Sequence, residues 1–144
     1  MTENCCADSS SSNRMIVWCA GASNVGQITH QVAVEMAGEG QGRLFCLAGI
    51  AAHRSGFVRS AKDAEDMIIL DGCPIACAAK ILEHVEAPVM NHFIVTEMGV
   101  EKVFGEDLKR EDIEQVKASI RTALAATAEN HGKGAPPAGV RNPA

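Results

Sequence analysis

Four short apolar runs, each followed by a stretch of different periodicity, constrain this chain more than any other feature. The first, from Met15 to Cys19, is continuous and short, which predicts a buried strand. Runs from Arg43 to Leu47, from Asp66 to Leu70 and from Asn91 to Val95 predict three more. Helical spacing fills the gaps. Ile28, Val32, Ala33 and Met36 mark a first helix, opened by Asn24 as cap with Gln27 three residues on, and ended by Gly38 and Gly40. Ala48 to Ile50 reads as a turn, Ser55 to Ala64 as a weaker helix, and Pro74 to about Glu86 as a third. Ile113, Val116, Ile120 and Leu124 mark an amphipathic last helix. Strand and helix alternate four times, which predicts an α/β fold: a single three-layer domain with a mainly parallel, roughly four-stranded sheet covered by helices.

A chain of 144 residues suits one such domain. The domain is expected over 14–129. Residues 1–13, with a serine run from Ser9 to Ser12, and residues 130–144, rich in glycine and proline, are expected to be disordered tails. Aromatic residues make up only 3% and tyrosine is absent, so the core must be aliphatic. A net charge of −5 disfavours a nucleic-acid partner. No apolar run reaches the roughly 18 residues of a membrane span, and the polar start lacks the apolar core of a signal peptide. The expectation is a cytoplasmic protein with no membrane partner, whose six cysteines serve metal or redox chemistry rather than disulfides.

Cysteine placement sharpens this. Cys19, Cys46 and Cys73 each fall at or just past the end of a predicted strand, 27 residues apart in turn. Parallel strands joined by right-handed crossovers all finish at one edge, where ligands of open α/β sheets bind. Pro74 suits the first position of a helix, which makes Cys73 the expected N-cap and sets Cys77 one turn inside, on the same face. The helix start would favour thiolate at Cys73. Adjacent strands lie about 4.8 Å apart, close enough for sulfurs on them to share a zinc ion. The bland reading, four cysteines packed as small hydrophobes, explains a single strand-end cysteine better than it explains four.

The segments Cys19–Gln27, Cys46–Ile50 and Asp71–Pro74, with Cys77, resemble the signatures of DGC-domain proteins, small prokaryotic proteins to which zinc binding is ascribed. The resemblance runs from about Trp18 to Met98. It implies that Cys19, Cys46, Cys73 and Cys77 are the metal-ligand set, and it implies no reaction. Cys5 and Cys6 fall outside the pattern.

Four thiolates would close a zinc site carrying two net negative charges, offset by helix starts at Asn24 and Pro74 and by loop N–H groups near Gly21 and Gly49. An iron–sulfur cluster is the alternative cofactor, and copper(I) or arsenite are alternative soft cargoes. His53 is the nearest candidate for a fourth ligand if only three cysteines bind, and Asp71 is expected to hold the turn by accepting a loop N–H. A different class of function is a thiol-dependent redox or sulfur-transfer enzyme using Cys73 and Cys77. A phosphatase loop after Cys19 would need an arginine six residues on, where the chain has Val25. Gly21–Gly26 also lacks both a P-loop ending and the dinucleotide glycine pattern, which leaves a weak phosphate-cradle signal.

Overall fold

The computed structural model describes residues 13–105 and 107–131. The apolar runs become four strands, β1 (Met15–Trp18), β2 (Arg43–Leu44), β3 (Met67–Asp71) and β4 (His92–Ile94). They pair in the order β2-β1-β3-β4, every pair parallel. β3 is buried at all five positions, as a central strand covered on both faces must be. Side chains alternate across the sheet. Ile16, Ile68 and Leu70 pack under α1 (Asn24–Gly38) and α5 (Arg110–His131). Met15, Val17, Met67 and Ile69 pack under α2 (Leu47–Ala51), α3 (Ser55–Lys62) and α4 (Cys77–His84). The result is the expected three-layer α/β domain with an aliphatic core.

The connections fix where a ligand belongs. From β1 the chain crosses to β2 through α1 on one face. It returns past β1 to β3 through α2 and α3 on the other face, and α4 continues to β4 on that same face. Order therefore reverses between β1 and β3, and the crevice outside their carboxyl ends is the topological switch point of the sheet.

Several boundaries differ from expectation for local reasons. β2 stops after two residues because Cys46 turns the chain into α2, its Sγ accepting from the Gly49 N–H at 3.3 Å; Ala48 to Ile50 is helix rather than turn. α1 is capped by Ser23, whose Oγ accepts from the Gly26 N–H, and not by Asn24. α4 begins at Cys77, so neither Cys73 nor Pro74 opens it. α5 runs to His131, two residues into the stretch expected as a tail. Cys5, Cys6 and the rest of both expected tails lie outside the described residues. Among the described residues no helix is long and apolar enough to cross a membrane.

α1 and α5 are joined by an ionic seam over the core. Lys117, with a side chain only 5% exposed, reaches Glu35 Oε2 at 2.8 Å and Glu39 Oε1 at 2.6 Å. Arg110 forks onto both oxygens of Glu35, and Arg121 pairs with Glu39. Arg110 first, then Gln31 and Lys117, hold the Glu35 carboxyl well below the usual carboxylate range; Lys117 and then Arg121 do the same for Glu39. Folded values below the ordinary 4.5 mean that this stabilisation is complete above that pH and is lost as pH falls through the lower folded values. Replacing Lys117 by Met keeps the buried stem and removes the charge. The variant is expected to lose about 1–2 kcal/mol at pH 7, a value held down by the part-exposure of both carboxylates. Urea unfolding at pH 7 and pH 3 checks this, the gap from wild type narrowing at the lower pH.

Candidate metal and thiol site

At the β1–β3 crevice, backbone meets backbone. A Cβ on Gly26 would stand 2.5 Å from the Gly21 oxygen, and one on Gly72 would stand 2.7 Å from the Gly26 nitrogen. Only glycine allows the start of α1 to lie this close to the end of β3. The approach brings the Gly72 N–H to the Sγ of Cys19 at 3.4 Å. Thr29, one turn into α1, lies on the other side of that sulfur, Oγ1 to Sγ 3.7 Å, and donates to the Gly26 oxygen at 2.6 Å. The Gly21–Gly26 loop is no phosphate cradle: Ser23 takes the Gly26 N–H and Gln27 donates to the Gly21 oxygen.

Asp71 ends β3 on the α4 side of the sheet. It is 1% exposed. Its Oδ1 accepts from the Ala78 N–H at 2.8 Å and its Oδ2 from the Ala79 N–H at 3.1 Å, while Nε2 of His92 on β4 lies 2.8 Å from Oδ2. One carboxyl thus caps α4 from across the connecting turn and ties it to two strands. The expected role of Asp71 in holding this turn is met by helix donors rather than loop donors. The turn itself places Pro74 second in a four-residue reversal closed by the Ala76 N–H on the Cys73 oxygen at 3.0 Å. Ala76 then takes a left-handed conformation, φ +56°, before the helix starts. Pro74 therefore serves a turn, and the carboxyl that caps the helix comes from Asp71, five residues before the cap position Ala76, and not from Cys73. Cys73 sits in the turn and Cys77 in the first helical turn, not on one helix face.

The four candidate cysteines are free thiols. Cys19 follows β1, Cys46 follows β2, and Cys73 and Cys77 follow β3, so all four lie at the carboxyl edge as expected. Cys19, Cys73 and Cys77 form one neighbourhood. The Cys77 thiol is pushed up by desolvation, then by the charges of Asp71, Cys19 and Cys73. Cys46 meets Cys19 in a different setting, the wall of a pocket of about 490 Å³ between the ends of β1 and β2, which Trp18 also lines. Among the described residues, no three His, Cys, Asp or Glu side chains stand close enough to hold a single ion. The thiols share an edge without forming a finished cage.

Histidines have other neighbours. The His53 ring, at a left-handed turn position, meets His84 edge-on with centroids 5.2 Å apart; His30 packs against Trp18; His92 is bound to Asp71. One residue escaped the sequence reading, and Asn24 has a different task from the one expected. Lys102 donates from Nζ to the Cys73 Sγ at 3.4 Å. Asn24 puts it there: its side chain donates to the Glu101 oxygen at 2.9 Å and accepts from the Val103 N–H at 2.8 Å, clamping the 101–103 loop onto α1. Nothing in the spacing of Lys102, 29 residues from Cys73, signals this pairing.

With this geometry in place the comparisons with known proteins are informative. The family model of the DGC domain matches residues 15–120. The chain belongs to the DGC-domain family. A curated relative, the anaerobic and virulence modulator AnvM of Pseudomonas aeruginosa, is 28% identical over 110 residues, covering 76% of this chain and 84% of its own. No solved structure matches. The matched segment spans every strand and all four edge cysteines, so the family's shared part is the sheet together with its carboxyl edge.

Asp71→Asn tests the support beneath this DGC-domain edge. The amide turns a donor toward a helix N–H or toward His92, leaving a buried polar group unmatched. Stability to urea is expected to fall by about 1–3 kcal/mol.

Proposed function

We propose that the protein binds a soft divalent metal ion, zinc, through the thiolates of Cys19, Cys46, Cys73 and Cys77, and acts in metal handling or sensing. The observation that carries the reading is that Cys19, Cys73 and Cys77, after two strand ends and at a helix start, lie beside the switch point of the sheet within electrostatic reach of one another. Burial first, and then the charges of Asp71, Cys19 and Cys73, disfavour the Cys77 thiolate, and a bound cation would favour it. Donors stand ready for the net negative charge of a four-thiolate site: the Gly72 N–H at Cys19, the Gly49 N–H at Cys46 and the Lys102 ammonium at Cys73. Zinc would be held by the four sulfurs and would supply no reaction of its own in a closed site. Because the described sulfurs are not already caged, and no cysteine is among the buried residues of either core, the reading is one of reversible capture rather than of an ion on which folding depends. A relative named as a modulator accords with sensing better than with a reaction.

Elemental analysis of reduced, untagged protein decides. About one zinc per chain is expected, retained when Cys5 and Cys6 are both changed to Ser and lost in Cys19→Ser or Cys73→Ser. The metal-free protein keeps its far-ultraviolet circular dichroism, and zinc at a hundredfold excess over Kd adds about 2.7 kcal/mol of stability. Full zinc content in both single variants overturns the ligand set. Iron with sulfide and broad visible absorption would replace zinc by an iron–sulfur cluster.

A second reading, thiol-dependent redox or sulfur transfer, is favoured by one contact, the Lys102 ammonium on Cys73. It requires Cys73 as the attacking sulfur, since the raised Cys77 thiol is mostly protonated at neutral pH. On that reading a disulfide reagent modifies Cys73 of metal-free protein well before Cys77 at pH 7, and Lys102→Met abolishes the difference. Equal rates at the two cysteines count against it.

A further inference from the structure

The pocket between the ends of β1 and β2 has walls of Leu44, Phe45, Leu47 and Ile81, with Cys19 and Cys46 among them and no charged side chain in its lining. Its volume of about 490 Å³ lies inside the range of small-molecule sites, about 300–1,000 Å³. Phe45 is braced by the Phe57 ring, centroids 5.6 Å apart, and Leu44 is left 43% exposed at the sheet edge, an apolar surface that an occupant would cover. A charged ligand would lose its hydration here and gain no partner. The side-chain functions with chemistry to offer are sulfurs, and Cys46 is exposed.

We propose that this pocket binds an uncharged, mainly apolar small molecule bearing a soft electrophilic centre, and presents that centre to Cys46. The step is a conjugate addition. The Cys46 sulfur forms a bond to the β-carbon of a C=C conjugated to a carbonyl, the π bond breaks, and the thiol proton ends on the α-carbon; nothing is needed beyond thiol and acceptor. The inference shares two cysteines with the metal reading and does not depend on it.

N-phenylmaleimide and N-methylmaleimide carry the same electrophile and differ in apolar bulk. Full-length, reduced, metal-free protein is reacted with each, and rates at individual cysteines are read by peptide mass mapping. Relative to glutathione, the phenyl reagent is expected to outpace the methyl reagent at Cys46 by at least about tenfold, from burial of the ring. Cys73 on the same molecules serves as the control, with a ratio near that of glutathione. Leu44→Ser and Ile81→Ser, at the edge strand and on α4, each reduce the Cys46 preference and leave Cys73 unchanged. A Cys46 ratio equal to that of glutathione, or one that neither variant alters, overturns the proposal. Zinc stoichiometry is measured on the same preparations before the metal is stripped: loss of the phenyl preference with zinc content intact removes the pocket alone, and absence of zinc with the preference intact removes the metal reading alone.

Discussion

The approach of Gly26 to Gly72 governs the geometry of the carboxyl edge. Two backbone segments that belong to different crossovers meet there at a distance that excludes any Cβ. Hydrophobic packing places β1 beside β3, but it does not decide how close the loops above them come. The glycines do, and the Gly72 N–H on the Cys19 sulfur is the consequence. Were either loop lifted by the size of a methyl group, Cys19 would lose its donor and the start of α1 would no longer rest on the end of β3. The glycines of this loop are thus spent on backbone packing, and Ser23 already takes the Gly26 N–H.

Around that contact the support is built from buried polar groups, each fully used. Asp71 is nearly inaccessible and meets two helix N–H groups and a histidine, which makes its burial tolerable and fixes α4 relative to β3 and β4. Asn24 uses amide nitrogen, amide oxygen and its own N–H on one loop, Glu101 to Val103. Together they determine where Cys77 and Lys102 stand, so positions far apart in sequence act on the cysteine edge through rigid elements.

The architecture was legible because its signals are redundant. Period and length identify β1 and β3 independently, and four alternations leave few topologies once crossovers are right-handed. That sufficed to set Cys19, Cys46, Cys73 and Cys77 on one edge. Local chemistry was less legible wherever one residue type serves two motifs. Proline suits the first helical position and also the second position of a turn; at Pro74 the turn prevails, because Asp71 already supplies the cap that a helix beginning at Cys77 needs. Ser23 and Asn24 are both good caps, and the distant 101–103 loop takes Asn24 away from that role. A cysteine can cap as serine does, which turned the end of β2 into α2. Long-range pairings such as Lys102 with Cys73 leave no periodic trace.

The arrangement of the sulfurs bears on what kind of metal site this edge would be. A cage of four preassembled thiols stores repulsion once they ionise, and in small zinc domains the bound ion repays it by holding the fold together. Here two aliphatic cores, one on each face of the sheet, close with no cysteine among their buried residues. The cysteines instead occupy a strand end, a short helix cap, a turn and a helix start, each with its own donor or neighbour. On the proposed reading, binding must therefore draw together segments that are separately anchored, and part of the metal's binding energy goes into that closure. Such a site binds more weakly than a rigid cage of the same ligands and changes shape on loading. Both properties suit an ion that is taken up and released, and on that reading the shape change would fall on the Cys73–Ala76 turn and on α2, whose Leu47 and Ala48 line the apolar pocket.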